Sequence, residues 1–472
     1  MILISKSLSS TEAENRNYIG AEYDKEDINK KNVNKEDINK EDMDKKGMNI
    51  PKTFCVTAQD AYNYVASKVF ADQQLCLVLK LSGRVDETSF ARALRLTLDQ
   101  EPVLGSRFAE NGGSPYWERR NDLEKIRICS VVETTSPEHG IQAFINEATQ
   151  ADADPLVVSR VFREKEADTV CIKVNHSACD AGGLKEYVSI LSDVYSRLSA
   201  DPGYSVRPNL CGRRDQSQVF EHIKDLDSIE PRGGPRPTWT LPQKGDISSL
   251  HSIRYIPRER FGAIKDYARD KKATINDLLL TALYRTLFEI NNTGYAEPMT
   301  IQVSIDLRRY CPDNKAEAIC NLSGALYLGV ERIQGEVFEK TLERIASFMR
   351  KLKEDYPGIE SAKGLEYMYG QGYPVLENWL KESGVQSRKH NVTYPLLSNF
   401  GLLKEYNFGG LHTVKGYISS PIMYPPGFML GVSTYNEEMT LSIGYCGQEN
   451  SRQIESFLDT YMEQLPGKKP YG

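Results

Sequence analysis

The sequence lacks the features that mark several large classes of protein. No stretch approaches the roughly 20 consecutive apolar residues of a membrane span. There is no P-loop and no recognisable carrier-protein serine motif. Charge of one sign is missing too: 59 Lys and Arg stand against 65 Asp and Glu. The basic residues form no stripe, and a net charge of −6 favours neither nucleic acid nor an anionic membrane surface. Histidines number six; His139, His222, His251, His390 and His412 are isolated, so no metal is expected. The nine cysteines include no CxxC pair and are odd in number, which fits small apolar residues in a reduced chain better than a disulfide framework. The opening MILISKSLSSTEAENR is too short an apolar run for a secretory signal. The expectation is a soluble cytoplasmic protein, by default a monomer, with no nucleic-acid partner and no transmembrane segment.

What is present is an ordinary globular balance over 472 residues, with 40% hydrophobic and 26% charged. Residues 1–50 stand apart. They repeat KEDINK and hold little core material, so a disordered charged tail is expected there. From Lys52 onward strands and helices alternate. QLCLVLKLSG (74–83) reads as a strand. A helix follows, with Asp86 as N-cap, Phe90, Leu94 and Leu98 on one face, and Pro102 as its stop. TVCIKVNH (169–176) alternates Val170, Ile172 and Val174, as a strand with one buried face does. LKEYVSILSDVYSRL (184–198) is an amphipathic helix. A connector rich in Pro, Gly and Arg runs to about residue 245. Beyond it, 249–257 and 299–309 read as strands, and 273–290, capped by Thr274 or Asn276, and 336–355 as helices. Residues 427–446 read as a hairpin around Asn436. Two similar α/β (α+β) halves, 51–225 and 226–472, are the simplest architecture.

VNHSACDAGG (174–183) is the segment that carries chemistry. His176 follows an apolar strand, where a side chain is held rigidly yet faces a cleft. A neutral histidine can take a proton from a hydroxyl or an amine if its ring is fixed in one pose. Asp180 can hold the following loop by pairing with a cation elsewhere, and Gly182 and Gly183 permit a tight turn and close approach. Cys179 reads as packing inside that turn rather than as a nucleophile. HxxxD alone is a common spacing, and a satisfied histidine at a strand end is the competing reading.

The company of the motif narrows the choice. VNHSACDAGGLKEYVSIL resembles the HxxxD segment of the chloramphenicol-acetyltransferase-like superfamily, which includes condensation domains of nonribosomal peptide synthetases and many coenzyme-A-dependent acyltransferases. LKLSGRVDETSFARALRLTLDQEPVLGSRF, ATINDLLLTALYRTL, VSIDLRRYCPDNKAEAICNLSG and LLSNFGLL are similar, in order, to its first strand and helix, its second-half helix, its D-L-R segment with a trailing N-x-x-G, and its late S-N-x-G segment. The resemblance spans nearly all of 52–472. Condensation domains usually read HHxxxDG; Asn175 replaces the first histidine, which favours stand-alone acyltransferases, and Ala181 replaces the first glycine.

The resemblance implies two subdomains meeting in a V, with His176 in a tunnel at their seam. It implies acyl transfer from a thioester to a small-molecule hydroxyl or amine acceptor. The donor would be acyl-CoA or the acyl-phosphopantetheine of an acyl carrier protein, with no tightly bound cofactor. His176 would be the general base. Asp180 would support the site by pairing with Arg308, or with its rival Arg309. Ser398 and Asn399 would meet the carbonyl oxygen or line the channel, and Gly182 and Gly183 would shape the turn or offer N–H groups. A free-standing condensation domain and a non-catalytic relative of the same fold are the alternatives.

Overall fold

The computed structural model describes residues 50–230, Pro237 and residues 248–467. The tail expected to be disordered over 1–50, apart from Ile50, and residues 231–236 and 238–247 at the end of the Pro-rich connector lie outside the described residues.

Two six-stranded mixed sheets organise the molecule. The first runs, in spatial order, Asn407–Phe408, Leu411–Ser419, Gln74–Leu81, Asp168–Asn175, Val157–Arg163 and Cys129–Glu133. Gln74–Leu81 is central because QLCLVLKL offers apolar side chains to both faces, and seven of its eight positions are buried. Asp168–Asn175, which delivers His176, is buried at every position. The alternation of Val170, Ile172 and Val174 predicts one buried face; the structure buries both. Helix Pro137–Asn146 covers the second face, packing Ile141, Phe144 and Ile145 against Cys76, Val78 and Cys171. Lys173 also lies on that face, its ammonium donating to the carbonyls of Phe144 and Glu147.

The second sheet runs Ser323–Glu331, Pro298–Asp306, Leu396–Leu402, Met429–Tyr435, Glu438–Cys446 and Ser249–Ile256. Of the two expected caps, Thr274 starts helix Ile275–Ile290, through a capping box with Asp277. That helix is buried along most of its length beside Phe338–Leu352 and Ser451–Gln464. Asn436 and Glu437 turn the hairpin with φ of 47° and 62°, the left-handed pair a tight two-residue turn needs. SNFG lies within Leu396–Leu402, which runs parallel to both neighbours and bulges between Asn399 and Gly401, where Gly401 has φ 77°.

The halves interlock. Leu411–Ser419 comes from the second half of the sequence, yet pairs antiparallel with Gln74–Leu81 in the first sheet. Helices Ile359–Gly370 and Tyr373–His390 lie back against helix Ala58–Val69 of the first half. Among the described residues, no helix is long and apolar enough to cross a membrane.

Candidate active site

The site begins where strand Asp168–Asn175 ends. Its last residue, Asn175, is buried; its side chain caps the turn by accepting from the Ser177 N–H at 3.0 Å and donates to the Thr149 carbonyl at 3.0 Å. His176 follows, its backbone N–H bound to the Gln73 carbonyl at 2.8 Å. The polypeptide then turns into helix Ala181–Ala200, whose N-cap is Asp180.

Asp180 lies at the cavity wall, where its carboxylate is committed to a buried ion pair. Both its oxygens meet one guanidinium nitrogen of Arg308, at 2.9 and 3.0 Å. The Gly183 N–H reaches Oδ1 at 2.8 Å and the Leu322 N–H reaches Oδ2 at 2.7 Å. Burial opposes ionisation of this carboxyl, but Arg308 and the two N–H donors outweigh it and hold its pKa below the usual value. Arg308 donates further to the Cys320 carbonyl at 2.9 Å, and Glu186 lies 3.4 Å from its Nε. Arg309 turns outward, over the ring of Tyr310. The pair thus clamps the motif loop of the first half to the D-L-R segment of the second.

Gly182 and Gly183 let that clamp close. A Cβ on Gly182 would stand 2.5 Å from Arg308 Nη1, and one on Gly183 would stand 2.8 Å from Cys179 Cβ and 2.9 Å from the Cys320 carbonyl oxygen. The Gly183 N–H is not free for a substrate, because it caps Asp180. Cys179 is fully buried packing, and desolvation drives its thiol pKa well up, which removes it as a nucleophile.

The imidazole of His176 faces a cavity of about 1650 Å³ between the two halves. Helix Ala58–Val69 and the start of the motif helix wall one side; strands Pro298–Asp306, Ser323–Glu331 and Leu396–Leu402 wall the other. Tyr62, Tyr327 and Tyr394 give it aromatic surface, and Gln59, Gln302 and Ser304 give it polar groups. Nδ1 of His176 lies 3.1 Å from Oδ1 of Asn321. Desolvation pushes the ring's pKa below its ordinary value, against the raising effects of Asp180, its own backbone carbonyl and Asn321. That direction favours the uncharged imidazole.

Ser398 and Asn399 line the same cavity. Asn399 Oδ1 also accepts from the Gly401 N–H at 2.9 Å, which fixes the bulge. Lys185, one turn into the motif helix, reaches across to the Phe400 carbonyl at 2.7 Å, and its pKa is lowered by burial. The structure brings His176, Asp180, Gly182, Ser398 and Asn399 to the wall of one cavity, with Gly183 and Arg308 behind it, and leaves Arg309 outside. The sequence reading did not single out Lys185, Asn321 or Asp60 beneath Asn321. Asn321 opens the N-x-x-G of NLSG and was visible as part of a segment. Nothing in TAQDAYNY separates Asp60 from an ordinary helix-start carboxylate. No cluster of three His, Cys, Asp or Glu able to hold a metal occurs among the described residues.

Comparison with solved structures places this architecture. The trichothecene 15-O-acetyltransferase of Fusarium sporotrichioides superposes with a TM-score of 0.63 at 13% identity, covering 88% of this chain and 94% of that one. A polyketide synthase associated protein of Mycobacterium tuberculosis gives 0.60 at 15%, covering 87% and 98%. The starter condensation domain of rhizomide synthetase, solved with C8-CoA, gives 0.59 at 14%, covering 89% and 96%. The chain therefore has the fold of these condensation domains and acyltransferases. No family model matches the sequence. A curated relative, an uncharacterized protein of Mycobacterium tuberculosis, is 22% identical over 358 residues, 70% of this chain and 79% of the relative.

Proposed function

We propose that the protein is an acyltransferase that moves an acyl group from a thioester to a hydroxyl or amine of a small-molecule acceptor, with His176 as general base. The observation that carries this reading is the placement of His176: its ring, whose pKa is held below the ordinary value, faces a cavity lined from both halves, while Asp180, the other motif residue, is committed to a buried pair with Arg308. A base open to a cavity beside a structurally committed carboxylate suits proton abstraction without a covalent intermediate.

In the reaction proposed, the acceptor oxygen or nitrogen attacks the thioester carbonyl as His176 takes its proton. The tetrahedral oxyanion needs a donor, and Ser398 and Asn399 are the side chains on the cavity wall suited to that contact or to substrate alignment. Collapse expels the thiolate, which receives the proton from His176. Atoms and charge then balance, and the resting base is restored. The donor is acyl-CoA or an acyl-phosphopantetheine, bound as substrate rather than as cofactor; the solved neighbour carrying C8-CoA supports an acyl-CoA donor.

The test is free-thiol release with acyl-CoAs of graded chain length and pooled alcohol and amine acceptors. Acceptor-dependent release by the native chain, absent in a folded His176→Ala variant, is expected. Equal release by both would contradict the role given to His176. Silence with acyl-CoA but turnover of carrier-bound donors would move the reading to a condensation-type enzyme.

A further inference from the structure

Beneath the candidate base lies a buried polar chain that the proposed reaction does not itself use. We infer that Asp60, acting through Asn321, fixes the tautomer of His176 and leaves Nε2 as the atom that accepts the acceptor's proton. In its consequence for rate the inference rests on the acyl-transfer reading; in its spectroscopic readout it rests on geometry alone.

The Asn321 amide is held in one orientation. Its Nδ2 donates to Oδ1 of Asp60 at 3.2 Å and to the Ser177 carbonyl at 3.2 Å. A carboxylate and a carbonyl can only accept, so they determine which end of the amide is nitrogen. The oxygen end then faces His176 Nδ1 at 3.1 Å, and Asn63 Nδ2 donates to the same oxygen at 3.1 Å. Opposite an acceptor, Nδ1 carries the hydrogen, and a neutral ring must hold its lone pair on Nε2. Were the amide reversed, its oxygen would stand against the Asp60 carboxylate and the Ser177 carbonyl.

Asp60 is itself held from several sides. It is fully buried. Arg214 contacts it at 2.6 and 3.2 Å, Trp117 Nε1 donates to it at 2.9 Å, and it closes the capping box of helix Ala58–Val69 with Thr57. Arg214 also donates to the carbonyl of Ala178, within the motif loop, at 2.8 Å. The first helix, residue 214 and the histidine loop therefore share one charge pair. A carboxylate in direct contact with the imidazole would raise its pKa; the intervening neutral amide fixes the tautomer with a smaller rise, suiting a base that must stay unprotonated. Asp60 and Asn321 are accordingly positioning residues, not catalytic ones.

The test is a long-range ¹H–¹⁵N correlation spectrum of the full chain labelled in histidine, with the His176 signals assigned by their loss in His176→Gln. At pH well above the ring's pKa, Nδ1 is expected to show the protonated, pyrrole-type shift and Nε2 the pyridine-type shift. Asp60→Asn combined with Arg214→Gln removes both charges of the pair and frees the Asn321 amide to turn. This double variant is expected to shift the ring toward the Nε2–H form. Its kcat is expected to fall by about tenfold to a hundredfold, with KM changed by less than about twofold. Asn321→Leu removes the amide acceptor, leaves only the ring's own backbone carbonyl, and is expected to give the same kinetic pattern with a mixed tautomer. A native ring already in the Nε2–H form, or a ring pattern unchanged in the folded variants, would overturn the inference. The native spectrum alone decides the tautomer if the variants fail to fold. A native Nδ1–H ring in a protein with no acyl transfer would refute the proposed function and leave the tautomer assignment standing.

Discussion

Replacing Asp180 by Asn keeps its shape and removes the charge that binds Arg308. The two side chains are 8% and 4% exposed, so the guanidinium would remain in a site that water scarcely reaches. Removing one partner of such a buried pair costs about 3–5 kcal/mol, because the other charge is left uncompensated. Asp306 at 3.3 Å and Glu186 at 3.4 Å remain near Arg308, which places Asp180→Asn toward the lower end of that range, about 3 kcal/mol. Arg308→Met leaves Asp180 with the N–H groups of Gly183 and Leu322 only, and is expected to cost about 4–5 kcal/mol. The double variant removes both charges and keeps side chains of similar volume; buried pairs replaced in this way are often close to neutral. A cost of about 1–2 kcal/mol is therefore expected for the double variant, and a coupling energy of about 5–7 kcal/mol for the cycle. The sign with pH follows from the depressed pKa of Asp180. The pair's contribution is present in full above the unfolded carboxyl value of 3.8 and is lost as pH falls through the lower folded value. The assay is equilibrium urea unfolding of all four proteins at pH 7, followed by circular dichroism. Additivity to within about 0.5 kcal/mol would show that the pair is not a unit and would refute the clamp.

Other perturbations test neighbouring parts of the account. Gly182→Ala would set a methyl 2.5 Å from Arg308 Nη1; a loss of about 1–3 kcal/mol and of most activity is expected, whereas native thermal stability would contradict the tight packing described. Asp72 is buried, and that burial, only partly offset by the N–H groups of Ile422 and Gln74 and by Lys173, raises its pKa to about 7. The folded state therefore keeps a proton that the unfolded chain has released, so stability should decline as pH rises from about 4 to 7, at up to about 1.4 kcal/mol per pH unit. Asp72→Asn, compared by thermal melts across that window, should flatten the decline; identical slopes would count against it. Ser398→Ala should lower kcat by about tenfold or more if its hydroxyl meets the oxyanion, with circular dichroism unchanged; native kinetics would remove Ser398 from the reaction.

Much of this arrangement was legible because it is written in local rules. Asp86 and Thr274 cap helices where a short oxygen-bearing side chain precedes an apolar period. The left-handed pair at Asn436 and Glu437 marks the hairpin. The HxxxD segment lies between a strand and a helix, and the pairing of Asp180 with Arg308 follows the order of segments that the resemblance supplied. What was not legible depends on partners distant in sequence. Leu411–Ser419 joins the first sheet because Gln74–Leu81 has an open edge, which no local pattern in the second half announces. The second buried face of Asp168–Asn175 depends on helix Pro137–Asn146, whose PEHGIQAFIN is short and opens on charge. Asp60 and Asn321 lie 261 positions apart, and only the closed fold brings them together under His176.

The most direct test of the central claim is the pH dependence of acyl transfer, measured as acylated acceptor by mass spectrometry for the native chain and for His176→Gln. Because burial depresses the pKa of His176, kcat/KM for the native chain should fall on the acid side with a midpoint below 6.5, and His176→Gln should form almost no product at any pH. Product formation by His176→Gln at the native rate, with the same acid limb, would contradict the assignment of His176 as the base.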